Sequence, residues 1–118
     1  MGEAARAVAA SLTVLTGHQI TFKSWQPYPE SPQQCIVAFE ASGEPVSVFA
    51  MDDSVGGAAM AMLNSLTDVL SEHYWAEPIP PCPGHAHPMR PVRNNYDVVT
   101  WECPADRRTV AQLWPPRG

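Results

Sequence analysis

The stretch QCIVAFEASGEPVSVFAMD, residues 34–52, decides the fold. Val37, Phe39 and Ala41 alternate with Ile36, Ala38 and Glu40, and Val46, Val48 and Ala50 alternate with Ser47, Phe49 and Met51. Two period-two runs flank Ser42-Gly43-Glu44, which predicts a β-hairpin with one face turned to a core. Upstream, ITFKSW (20–25) sets Ile20, Phe22 and Ser24 against Thr21, Lys23 and Trp25, a third strand pattern, and YPESP (28–32) reads as a loop joining it to the hairpin.

Helical spacing brackets these strands. Ala5, Val8, Ala9, Leu12 and Leu15 form one apolar stripe across residues 3–16, and Gly17 stands where a C-cap glycine belongs. After the hairpin, Val55, Ala59, Met62, Leu63, Leu66, Val69 and Leu70 predict a second helix from about Ser54 to Tyr74. Asp52, Asp53 and Ser54 supply N-cap chemistry and negative charge at its positive end. Gly56-Gly57 is no phosphate cradle: two aspartates precede it and no lysine follows at P-loop spacing. Close packing of the helix start explains the pair better.

Beyond the proline-rich segment 78–91, YDVVTWEC (96–103) alternates, and RTVAQLW (108–114) reads as a last strand, together a C-terminal β-hairpin. The predicted order is α-β-β-β-α-β-β: a helix, a three-stranded antiparallel sheet, a helix, then the hairpin. With no βαβ alternation the class is α+β. A chain of 118 residues has the size of one domain, of which 78–118 forms the proline-rich hairpin part.

Composition excludes several roles. A 45% hydrophobic, 16% charged chain folds. A net charge of -5 opposes a general nucleic-acid role, although Arg90, Arg93, Arg107, Arg108 and Arg117 make the tail locally basic. No apolar run reaches the ~20 residues of a membrane span. No basic cluster leads into AVAASLTVLTG (7–17), which follows Glu3 and has helical apolar spacing, so a cytoplasmic location is expected. Three cysteines form an odd set, which favours free thiols or metal ligands over a disulfide framework.

The chemistry concentrates in PPCPGHAHP (80–88) and WECPAD (101–106). Two ligands three residues apart can meet one metal across a tight turn, and both Cys82/His85 and Cys103/Asp106 have that spacing. Cys82, His85, His87 and Cys103 are the expected ligands of a structural zinc site, with Asp106 the rival of His87 for the fourth position. His87 offers the better nitrogen donor, yet its i+2 spacing from His85 is awkward on an extended segment. A Cys82–Cys103 disulfide and a metal-free loop are the competing readings. No catalytic residues are assigned. The P-C-x-x-H element resembles half of a zinc nucleobase deaminase signature, but the required ligand two residues before a glutamate is missing at Glu40 and Glu77. Cys35, alternating among apolar strand residues, reads as a buried structural thiol. His18 and His73 read as ordinary helix-end histidines. Trp25, Tyr28, Tyr74, Trp75, Trp101 and Trp114 are mostly packing residues, and those exposed together would form a partner-binding patch.

Residues 82–106, with the strand ending in WECP, resemble the second half of a zinc ribbon, with His85 and Asp106 where a ribbon carries cysteines. The tail CPGHAHPMRPV…VVTWECP is similar to that of small proteins of high-GC actinobacteria, a resemblance that implies no particular activity. The element order is similar to that of type III secretion chaperones, which implies an acidic protein that binds protein segments, often as a homodimer. The combined expectation is a non-enzymatic protein-binding module with a zinc-clipped hairpin. A small metal-dependent hydrolase, with an open position at Cys82, His85 and Cys103, and a nucleic-acid contact through Arg90, Arg93, Arg107 and Arg108 are the alternatives.

Overall fold

The computed structural model describes residues 1–51 and 54–116. The hairpin of residues 34–52 forms as its alternation predicts. Strands β2 (Ser31–Ala41) and β3 (Glu44–Met51) pair antiparallel, and Val37, Phe39, Ala41, Val46, Val48 and Ala50 are buried on one face. Their turn is the two-residue Ser42-Gly43, with φ of 51° and 88°, the doubly positive pattern that matches strand twist. Strand β1 (Ile20–Tyr28) pairs with β2 on its other side, giving the order β1-β2-β3. β1 outruns the predicted 20–25, and YPESP is mostly strand: Tyr28 faces Ser31 across the short Pro29-Glu30 turn. Pro27 is tolerated because β1 is an edge strand, where a missing N–H interrupts no inner ladder.

Helix α1 (Gly2–Thr16) buries Ala4, Ala5, Val8, Ala9 and Leu12. Helix α2 (Val55–His73) buries Ala59, Met62, Leu63, Leu66 and Leu70. Ser54 caps α2, its Oγ accepting the Gly57 N–H. Asp52 and Asp53, read as further cap residues, lie outside the described residues, as does Arg117. No described helix is long and apolar enough to cross a membrane.

The C-terminal part is a three-stranded antiparallel sheet, not a hairpin: β4 (Arg90–Arg93), β5 (Val99–Glu102) and β6 (Thr109–Trp114), in that order. RPVR escaped notice because four residues carry little periodicity and Pro91 argues for a loop, yet β4 is an edge strand and accepts it. The expected strand over 96–103 starts only at Val99. The Asn94 side-chain oxygen accepts N–H bonds from Tyr96 (2.8 Å) and Val98 (3.1 Å), which makes 94–98 a turn. Both helices touch both sheets, α1 through β1 and β6, α2 through β3, β4 and β5, so the helix pair is the middle layer. Trp101, wholly buried, locks the C-terminal sheet onto α1 by donating its indole N–H to Ser11 Oγ at 2.8 Å.

Candidate metal centre

The site is built from two turns. In the first, Cys82-Pro83-Gly84-His85, the His85 N–H donates to the Cys82 carbonyl at 3.0 Å, closing a β-turn. Pro83 supplies the fixed φ of its second position, and Gly84, at φ 80°, supplies the left-handed third. The flanks form a narrow ribbon: Cys82 N–H donates to the His87 carbonyl, Met89 N–H to the Pro80 carbonyl, and Pro81 bridges Pro88. In the second turn, between β5 and β6, Cys103 N–H donates to the Arg108 carbonyl at 2.9 Å and Arg107 N–H to the Cys103 carbonyl at 2.8 Å. Both cysteines are therefore fixed at the mouth of a hydrogen-bonded turn.

These turns bring Cys82, His85, His87 and Cys103 together, with one donor atom of each within 4.8 Å of every other. His85 Nδ1 lies 3.4 Å from Cys82 Sγ and 3.3 Å from Cys103 Sγ, and His87 Nε2 lies 3.4 Å from Cys103 Sγ. A tetrahedral zinc with bonds of about 2.3 Å to sulfur and about 2.0 Å to nitrogen has nitrogen–sulfur edges of about 3.5 Å. The four donors thus lie close enough to hold one metal ion.

The awkward i+2 spacing of the two histidines has a simple resolution. His85 presents Nδ1, close to its backbone, whereas His87 presents the distal Nε2. Different ring nitrogens reach one point from unequal distances, with the rings 4.7 Å apart and tilted by 39°. Asp106, the rival, stands outside the four-donor group: its Oδ1 accepts the Arg108 N–H at 2.9 Å. That bond, followed by one from the Cys103 thiol, holds the Asp106 carboxyl below the usual carboxylate range.

Cys82 and Cys103 are buried, His85 is exposed and His87 is half-buried. Burial first, then the hydrogen bond and charge of Cys103, push the Cys82 thiol up, with Arg108 opposing. A bound cation must displace that proton, so occupancy releases protons and rises with pH.

The remaining candidates fall outside the centre. Cys35 is a buried core thiol in β2. His18, read as an unremarkable helix-end residue, sits 2.8 Å from Glu77 and stacks on Tyr74, whose hydroxyl donates to Ser42 Oγ at 2.7 Å. Arg90 pairs with Glu102 at 2.9 Å and Arg93 with Asp97 at 3.7 Å, which offsets half of the expected basic patch. Reading the sequence missed Asp97 altogether. From the β4–β5 turn its carboxylate accepts the Gly56 N–H and the Ser54 hydroxyl, both at 2.9 Å, and so caps α2 from 41 and 43 residues away. Only Gly56-Gly57, read as close packing of the helix start, hinted at it: a Cβ on Gly56 would stand 2.7 Å from the Asp97 backbone oxygen. Compared with family models, curated proteins and solved structures, the chain matches none.

Proposed function

We propose that the chain is a non-enzymatic protein-binding module whose C-terminal sheet is held by a structural zinc ion on Cys82, His85, His87 and Cys103. The closed donor set carries this reading: four protein ligands complete a tetrahedron and leave no position for a reacting water. A hydrolase would need one of them displaced. The two thiols also come from separate turns, so the ion ties the 80–89 ribbon to the β5–β6 turn. The test is the metal content of protein purified without added metal, for the parent, Cys82→Ser and His87→Ala. One equivalent of zinc in the parent and none in Cys82→Ser supports the clip. A metal-free parent ends it, and full retention in His87→Ala returns the fourth position to water and favours the hydrolase.

Partner binding draws its support from the face of β1–β3 turned away from the helices. Phe49 is 54% exposed there and packs T-shaped against Tyr28, ring centroids 5.5 Å apart, beside Ile36. Aromatic side chains at this density suit the centre of a protein contact. Retention of a protein by the parent and its loss in Phe49→Ser would support the reading, with sedimentation separating a homodimer from a foreign partner. Stabilisation by a small molecule, with no protein retained, would count against it.

A further inference from the structure

We propose that Cys82 and Cys103 form a reversible thiol–disulfide pair, so that a hydroperoxide converts the metal clip into a covalent one across the same two turns. The inference rests on the zinc reading above for its metal-release step and for the thiolate spacing on the ion, and on the shared cluster for the rest. Among the described residues only these two of the three thiols share a cluster, and Cys35 belongs to the other sheet. Their donor atoms lie within 4.8 Å, and both sulfurs meet the same His85 Nδ1. Two thiolates on one tetrahedral zinc stand about 3.8 Å apart, already facing, and closing to an S–S bond of about 2.05 Å needs a small shift.

Access runs through His85. Its ring is exposed, while its Nδ1 touches both buried sulfurs at 3.4 and 3.3 Å, so its displacement uncovers the pair together. One thiolate attacks the peroxide O–O bond, becoming a sulfenic acid and releasing an alkoxide, or hydroxide from hydrogen peroxide, which takes a proton from solvent. The second thiolate attacks that sulfur and expels hydroxide, which takes a second solvent proton and leaves as water. Two electrons pass from the sulfurs to the peroxide oxygens, the S–S bond forms, and the ion departs with only the two histidines left to hold it. Because both clips join residues 82 and 103, the C-terminal sheet stays pinned in either redox state.

The experiment treats the zinc-loaded Cys35→Ala protein with one equivalent of hydrogen peroxide and follows released zinc, free thiols and intact mass. The expected result is one zinc released per two thiols lost, a mass loss of two hydrogens, a mapped Cys82–Cys103 peptide pair, and full reversal by dithiothreitol. His85→Ala should react several-fold faster. A single cysteine carried to sulfinic acid, or zinc and thiols retained at a dose that consumes free glutathione, overturns the proposal. A protein that takes up no zinc but still forms the Cys82–Cys103 bond sinks the zinc reading and keeps the redox pair. One that holds zinc and forms no such bond does the reverse.

Discussion

The two sheets are held by different means. Strands β1–β3 lie on the helices through an alternating apolar face, with short turns and a register that a one-residue slip would invert. Strands β4–β6 are shorter, β4 and β5 having four residues each, and although they bury Val99, Trp101 and Leu113 they also depend on point contacts. Those contacts are the Trp101–Ser11 bond, the Asp97 cap on α2 and the Cys/His cluster. Distributed burial tolerates the loss of any one polar partner, whereas point contacts fail singly. Perturbations should therefore separate the two sheets.

The largest effect belongs to the distributed core. Phe39, 1% exposed at the centre of β2, should cost about 3–5 kcal/mol when cut to alanine. Urea unfolding checks this, with and without chelator, and the loss should be equal in both. A loss that grows with metal would mean that the two sheets do not separate. Chelation comes next. If free zinc exceeds its dissociation constant by about 100- to 1,000-fold, removing it should cost about 3–4 kcal/mol. Amide exchange should rise across 79–114 and stay slow in β1–β3, and a uniform rise would break the comparison.

Gly56→Ala should cost less, about 1–3 kcal/mol for the forced overlap, reduced by the better helix propensity of alanine. A new Cβ meets the Asp97 side chain and its backbone oxygen, so β4–β5 must move as a unit. Asp97→Gly should recover part of that loss, and a double-mutant cycle would read the coupling. Additive losses would show that Gly56 serves only α2.

How much was legible in the sequence follows the same division. The helices and the β2–β3 hairpin were readable because burial imposes a period, and periods survive in one dimension: α1 was expected over 3–16 and spans Gly2–Thr16. The cluster of Cys82, His85, His87 and Cys103 was readable too, because cysteine and histidine near turn residues carry chemistry independent of period. Strand β4 was not, since RPVR is too short to show alternation and its proline argued against it. Nor was the Asp97 cap. Asp97 reads as one member of an alternating run until Asn94 is seen to fold that run into a turn, and its partners lie about forty positions upstream. Pairings that depend on tertiary placement leave no local trace.

The smallest effect tests that cap alone. The Gly56 N–H first, then the Ser54 hydroxyl, with Arg93 adding and partial burial opposing, hold the Asp97 carboxyl below the usual carboxylate range. The folded protein therefore binds this proton less readily than the unfolded chain does. Asp97 contributes its full stabilisation above the ordinary carboxylate value, about 3.9, and loses it as pH falls from there through the depressed folded value. Asp97→Asn should lower stability at neutral pH and flatten the dependence within that acid window, most visibly at low salt because the side chain is 37% exposed. Urea midpoints measured with chelator present, across a pH series, keep metal release out of the comparison. Parallel acid limbs in parent and variant would show that the carboxylate charge does not hold the β4–β5 turn on α2, leaving the Trp101–Ser11 bond and the buried Val99, Trp101 and Leu113 as the ties that do.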